Sequence, residues 1–431
     1  MNTTTLSNRQ ALLLQQVQAC RDASPVLASL SLEQRNQLLL DMATQIANQQ
    51  AALLAANEQD LLAARARGAS SALLDRLALN PARIQALQNS LREVAALPDP
   101  IGQRRPFSQP PSGITVFKQR IPLGVILMIY EARPNVAVDA AALCLKSGNA
   151  AMLRGGSEAR HSNAVLGQLW QQVLAAAGLP PAAVTVLTDA SHDDVNAMLQ
   201  WDELIDLVIP RGGEALIRSV AAHSRIPVIR HYKGVCHLFV DASADPDMAI
   251  PLLIDGKCSR PAVCNALETL LVHAAIAEQF LPRAVEALRA REVELRGCSR
   301  SQAISQQIGA ATAEDWDTEY LDRILSIRVV DDLDEAIAHI RRHGSHHSEV
   351  ICTRDDANAE RFLNTVDASV VLVNASSRFN DGGELGLGAE IGIATTKLHA
   401  YGPMGLESLT AEKFVVCGQG EVRHPESRLV Q

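Results

Sequence analysis

The stretch IPLGVILMIYEARPNVAVDAAALCLKSGNAAMLRGGSEA, residues 121–159, decides the fold. Residues 124–130 (GVILMIY) form an apolar run of strand length with no polar alternation, so both faces of the strand must be covered. Residues 136–145 then read as a helix and residues 150–153 (AAML) as a second apolar strand. A long helix over 157–177 follows, closed by Gly178 and by Pro180-Pro181. Buried strands alternating with helices predict an α/β fold with a parallel sheet, which binds ligands at the carboxyl ends of its strands.

The alternation continues in both directions. Downstream, strands are expected at 184–187, 204–209 and 228–229, with helices at 193–200 and 214–223. A second α/β set begins near Met248. It has strands at 269–272, 327–330, 350–352 and 370–373, and helices at 275–289, 333–343 and 357–366. Residues 374–405 are glycine rich, and residues 414–417 read as a short strand able to pair with another chain. Upstream, residues 6–96 are rich in Ala, Leu and Gln and predict three or four amphipathic helices, with starts marked at Ser31 (SLEQ, a capping box) and Asn80-Pro81. Between 98 and 113, five prolines and two glycines end the helical pattern and mark an excursion or boundary.

The 431 residues suggest two or three domains. A formal net charge of -9 with no basic run argues against a nucleic-acid surface, and only 3 Trp, 4 Tyr and 7 Phe argue against base stacking. No apolar run is long enough to span a bilayer, and the N-terminus lacks a signal-peptide pattern. Eight scattered cysteines, none spaced CxxC, fit reduced thiols better than zinc or disulfides. These features predict a soluble, cytoplasmic protein with no metal site.

Three motifs could carry chemistry. In KCSRPAVCN, residues 257–265, Pro261 breaks any helix and leaves Cys264 at a turn entering a structured element. Backbone N–H groups and the nearby Lys257 and Arg260 would favour a thiolate there. The alternatives are a buried structural cysteine, or Cys258 as the reactive thiol. Arg154-Gly155-Gly156-Ser157 and Arg211-Gly212-Gly213 each follow a strand and open a helix. They read either as phosphate-binding turns or as tight turns that need φ > 0. Asn135, at the end of the strand that reaches Tyr130, could donate to an oxyanion or cap the helix at Val136, capping being the commoner role. His346-His347 lacks a third ligand at helical spacing and reads as structural or substrate-shaping.

Together with GVCHLFVD (234–241), RPAVCNALETLLVH (260–273), HGSHHSEVI (343–351) and VNASSRFNDGGELGLGAEIGIATTKLHAYGPMGLE (373–407), residues 121–159 resemble the γ-glutamyl phosphate reductases. These glutamate-5-semialdehyde dehydrogenases of proline biosynthesis belong to the aldehyde dehydrogenase superfamily. The resemblance covers nearly the whole chain. It implies an aldehyde dehydrogenase-like fold: a parallel-sheet NADP-binding domain (1–106 and 122–248), an α/β catalytic domain (249–412) and a small oligomerisation flap (107–121 and 413–431).

The resemblance also implies roles. Cys264 matches the nucleophile and Asn135 the side-chain half of the oxyanion hole, the Cys264 N–H being the other half. Arg154, Gly155, Gly156 and Ser157 fall on the adenosine side of NADPH/NADP. Arg211, Gly212 and Gly213 face its phosphates, and Glu319 falls on the nicotinamide ribose. Arg260 and Arg378 are the candidates for gripping the substrate, L-glutamyl 5-phosphate. A homo-oligomer is implied, functionally coupled to glutamate 5-kinase. Hydrolytic relatives carry a glutamate base where this chain reads HYKGVCH (231–237), which has no carboxylate. Two departures stand out: Tyr401 where the family usually has Arg, and Asp255-Gly256 where Asn-Ala is common. An ordinary phosphate-independent aldehyde dehydrogenase and a non-catalytic oligomeric scaffold are the alternative readings.

Overall fold

The computed structural model describes residues 7–424, which divide into two compact units, 7–229 with 404–424, and 230–403. The first unit opens with five helices: α1 (Asn8–Ala28), α2 (Leu32–Asn48), α3 (Gln50–Ala66), α4 (Ser71–Leu77) and α5 (Pro81–Ala96). The capping box at Ser31 and the Asn80 cap before Pro81 set the starts of α2 and α5. The fifth helix beyond expectation is α4, only seven residues long, too short to show a helical period.

The Pro-rich excursion forms β1 (Arg104–Ser108) and β2 (Thr115–Pro122), paired antiparallel. The sheet of this unit follows, with β3 (Val125–Tyr130), α6 (Val136–Lys146), β4 (Ala150–Gly155), α7 (Arg160–Ala176), β5 (Val184–Leu187), α8 (His192–Met198), β6 (Leu207–Arg211) and α9 (Glu214–His223). Its strands are parallel in the order β5-β4-β3-β6. Every residue of β3 is buried, as are ten of the eleven in α6. That is why neither shows polar alternation: helices cover both strand faces and α6 itself lies in the core. The order places the ends of β3, β4 and β6 side by side, and with them Asn135 and both Arg-Gly-Gly turns.

The second unit carries a seven-stranded parallel sheet. Its elements are β7 (Cys236–Val240), α10 (Pro246–Cys258), β8 (Leu267–His273), α11 (Ala274–Arg289), β9 (Glu294–Gly297), α12 (Ser299–Ile304), β10 (Gly309–Ala310), β11 (Ile324–Val330), α13 (Leu333–His343), β12 (Ser348–Cys352), α14 (Asp356–Thr365) and β13 (Val370–Val373). The strand order is β10-β9-β11-β8-β7-β12-β13. Two apolar clusters sandwich it. One includes Leu253, Phe280, Leu281 and Leu288 from α10 and α11, and the other includes Leu333, Ile337, Ile340 and Phe362 from α13 and α14.

The structure corrects three expectations. The boundary lies at 229/230 rather than 248/249, because β7 pairs with β8 and β12 and so belongs to the second sheet. Residues 404–412 likewise group with the first unit, not the catalytic one. The last strand, Thr410–Cys417, pairs along its whole length with β2 of its own chain and forms the edge of that small sheet, with its other side open among the described residues. The strand expected at 228–229 is reduced to one bridge between Val208 and Val228. Residues 425–431 of the expected flap lie outside the described residues.

Candidate active site

In the second unit, Cys264 sits half-buried on the turn between α10 and β8, as the Pro261 break predicts. Its backbone is tightly walled. A Cβ added to Gly234 would collide with the carbonyl oxygen, carbonyl carbon and Cα of Cys264, so only glycine fits. The Cys236 thiol donates to the Cys264 carbonyl at 3.2 Å. Burial pushes the Cys236 thiol well above its ordinary value, so Cys236 remains a donor rather than a thiolate. The next residue, Asn265, is held too: its amide donates to the Asn380 carbonyl at 3.0 Å and its carbonyl accepts from the Ser377 hydroxyl at 2.7 Å. Cys258, the rival thiol, ends α10 and is raised by burial. That disfavours it as a nucleophile.

The HYKGVCH segment therefore contributes packing beside Cys264. Gly234, which holds the Cys264 backbone, also donates its N–H to Glu319 Oε1 at 2.9 Å, so Cys264 and Glu319 share one neighbour. The two candidate arginines differ. Arg260 is exposed. Arg378 is half-buried, with Nη1 shielded from solvent and lacking a hydrogen-bond partner. A buried guanidinium N–H without an acceptor is rare and marks a place for an anion. Tyr401, the departure from the family, donates its hydroxyl to Asp367 at 3.2 Å, and Lys397 reaches the same carboxylate at 2.6 Å. Gly256, the other departure, packs where a Cβ would meet the Leu267 side chain.

In the first unit, Asn135 does not cap α6. Its backbone is already helical (φ -58°, ψ -30°), and its amide donates to Asp139 Oδ2 at 3.0 Å. Asp139 also accepts the Ser90 hydroxyl at 2.9 Å, and burial pushes its carboxyl up despite both bonds. The sequence signal for this partner was the i,i+4 spacing on one helix face.

The Arg-Gly-Gly turns overturn the φ > 0 alternative. None of Gly155, Gly156, Gly212 and Gly213 has positive φ. Three of them instead give way to neighbours: a Cβ on Gly155 would strike Asn163 and the Tyr130 ring, one on Gly156 the Glu158 carboxylate, and one on Gly212 the Glu131 carboxylate. Glu131 Oε2 accepts the Gly213 N–H at 3.0 Å, and Glu158 Oε1 accepts the Ala132 N–H at 2.8 Å. Ser157 is exposed and opens the short helical turn before α7. Arg154 donates to the Ala190 carbonyl at 3.0 Å, while its Nε is buried without a partner. Nothing in the sequence marks either glutamate as a partner for these turns.

The histidine pair separates. His346 adopts φ +60° and contacts the Asp367 carbonyl through Nδ1 at 2.7 Å. His347 is fully buried, packs its ring 6.0 Å from that of His231, and is held down to about 3 by desolvation. It stays neutral in the fold.

Comparison with known proteins shows the family. Residues 4–315 match the aldehyde dehydrogenase family. The chain is 59% identical over 405 residues to a γ-glutamyl phosphate reductase of Xanthomonas campestris, covering 94% of this chain and 98% of that one. A Xanthomonas axonopodis γ-glutamyl phosphate reductase is 60% identical with the same coverage. The crystal structure of the Thermotoga maritima γ-glutamyl phosphate reductase superposes with a TM-score of 0.94 at 42% identity, covering 96% of this chain and 100% of that one. The glyceraldehyde-3-phosphate dehydrogenase GapN of Methanocaldococcus jannaschii, solved with NADP, shares the fold (TM-score 0.67, 15% identity, 95% of each chain). The chain belongs to the aldehyde dehydrogenase family and, within it, to the γ-glutamyl phosphate reductases.

Proposed function

We propose that this chain reduces L-glutamyl 5-phosphate to L-glutamate 5-semialdehyde in proline biosynthesis, releasing phosphate, with Cys264 as nucleophile and NADPH as reductant. The observation that carries this reading is the wall beside Cys264. The segment where hydrolytic relatives hold a glutamate base presents Gly234 to the Cys264 backbone and contains no carboxylate. Water therefore has no general base from that segment, and the acyl group on sulfur is exchanged with phosphate.

Cys264 Sγ attacks the acyl carbon, a C–S bond forms, and the C–O bond to phosphate breaks with its electron pair leaving on phosphate. The Asn135 amide and the Cys264 N–H hold the oxyanion. The nicotinamide, when bound, supplies the hydride that reduces the thioester carbonyl. Cys264 then departs as thiolate when the C–S bond breaks, which restores the starting state. Arg378 is the better candidate than Arg260 for a substrate anion, because its Nη1 is the one that lacks an acceptor.

Arg154, with its orphaned Nε, fits a phosphate-bearing cofactor, and Glu319 fits a ribose hydroxyl. The acyl phosphate comes from a kinase, glutamate 5-kinase. A reducing cytoplasm suits the nucleophilic thiol. The β1-β2 hairpin and the last strand expose Phe107 and Phe414, ring centroids 5.2 Å apart, as an oligomerisation face.

The test is reduction of NADP by the semialdehyde with and without phosphate, in wild type and Cys264→Ala. Phosphate dependence and a loss of about 10⁴-fold or more in Cys264→Ala are expected. Equal oxidation without phosphate would overturn the assignment in favour of an ordinary aldehyde dehydrogenase.

A further inference from the structure

Lys257 and Glu268 form an ion pair, Nζ to Oε2 at 2.7 Å, with both side chains fully buried. Lys257 lies in the last turn of α10 and Glu268 is the second residue of β8, so the pair closes the base of the turn that carries Cys264. The other carboxylate oxygen, Oε1, accepts the Leu321 N–H at 3.3 Å. Leu321 has φ +55°, a left-handed conformation that a leucine adopts only under constraint. Two residues before it, Glu319 binds the Gly234 N–H, and Gly234 packs on the Cys264 backbone. The path is closed: Cys264 to Gly234, Glu319, Leu321, Glu268, Lys257 and back along the turn.

A buried ion pair is a poor device for stability alone, since apolar residues of similar volume serve as well or better. Its use here is geometric. We propose that Lys257 and Glu268 are a positioning pair that ties both ends of the Cys264 turn to the 319–321 segment and keeps the thiol in register with Glu319. The proposal rests on Cys264 being the nucleophile.

Glu268 also titrates within reach of experiment. Burial pushes Glu268 up to about 7, against the pull of Lys257. The groups facing it are Lys257 from α10, Glu319 and the Leu321 N–H from the 319–321 segment, and the Cys236 thiol from β7. The Tyr320 ring lies 5.9 Å from Lys257 Nζ. Below about that pH the carboxylate takes a proton, the charge pairing is lost, and kcat should fall.

The test compares wild type with Glu268→Gln and with the double variant Lys257→Met/Glu268→Leu, which removes both charges at similar volume. In the phosphate-dependent assay both variants should lose roughly 10- to 100-fold in kcat, with KM values within about twofold. The acidic limb of the wild-type kcat profile near pH 7 should flatten. Iodoacetamide alkylation of Cys264, read peptide by peptide by mass spectrometry, should change its pH dependence. Wild-type kcat and pH profile in either variant would overturn the proposal, and so would failure of both to fold, which would make the pair a stability element. Activity surviving in Cys264→Ala would instead remove the nucleophile assignment beneath it.

Discussion

The turns bearing Asn135 and Cys264 are both proposed to serve the oxyanion, yet the fold holds them by opposite means. Asn135 must present a side-chain amide, and a carboxylate orients that amide: Asp139, one helical turn on, itself bonded to Ser90. The residues before it are tied by Glu158 to the Ala132 N–H and by Glu131 to the Gly213 N–H. Cys264 must present a backbone N–H and a short side chain, and there the fold fixes the main chain itself. Gly234 abuts it, Cys236 bonds its carbonyl, and Ser377 and Asn380 hold the next residue. A side-chain donor is set by hydrogen bonds that can be removed singly. A main-chain donor is set by packing that can only be displaced.

Mutations should separate the two. Asn135→Ala removes one oxyanion donor and should cost roughly 100- to 1,000-fold in kcat; an unchanged rate would remove Asn135 from the mechanism. Gly234→Ala removes no catalytic group but forces the Cys264 backbone to move. A displacement of that kind costs about 100-fold, and unfolding should come at lower temperature. Full activity in Gly234→Ala would show that the turn tolerates the shift and that packing does not set the donor. Asp139→Ala, which leaves Asn135 present but unoriented, should cost about tenfold in kcat with KM unchanged. An effect as large as that of Asn135→Ala would make Asp139 a participant rather than a support.

The difference also explains what the sequence could reveal. Apolar runs without alternation made β3, β5 and β13 readable, and the strong amphipathic period of α13 gave its bounds. The strand β7 escapes a sequence reading because His237 interrupts its apolar pattern. His237 is buried only because Glu349, distant in sequence, meets its Nδ1 at 2.9 Å. The Cys264 turn was readable from Pro261, a local breaker. Its wall was not, since a glycine before a strand shows nothing of which backbone will approach it. The Arg-Gly-Gly turns were located correctly but their glycines were open to misreading. They answer to side chains of Tyr130, Asn163, Glu131 and Glu158, which only the folded sheet brings alongside.

Glu131 gives the comparison its finest test. Its carboxylate takes the N–H of Gly213, the residue that caps the start of α9 and is proposed to face a cofactor phosphate. A phosphate arriving there meets a like charge that is exposed and screened by solvent. Removing that charge while keeping an acceptor, as in Glu131→Gln, should tighten NADPH binding by about two- to fivefold at low ionic strength, and less as salt is added. Titration of NADPH fluorescence reads the change directly. Weaker binding would mean that the carboxylate is used by the cofactor rather than displaced by it. The first turn would then be held for its ligand by a group the ligand needs, as the Cys264 turn is.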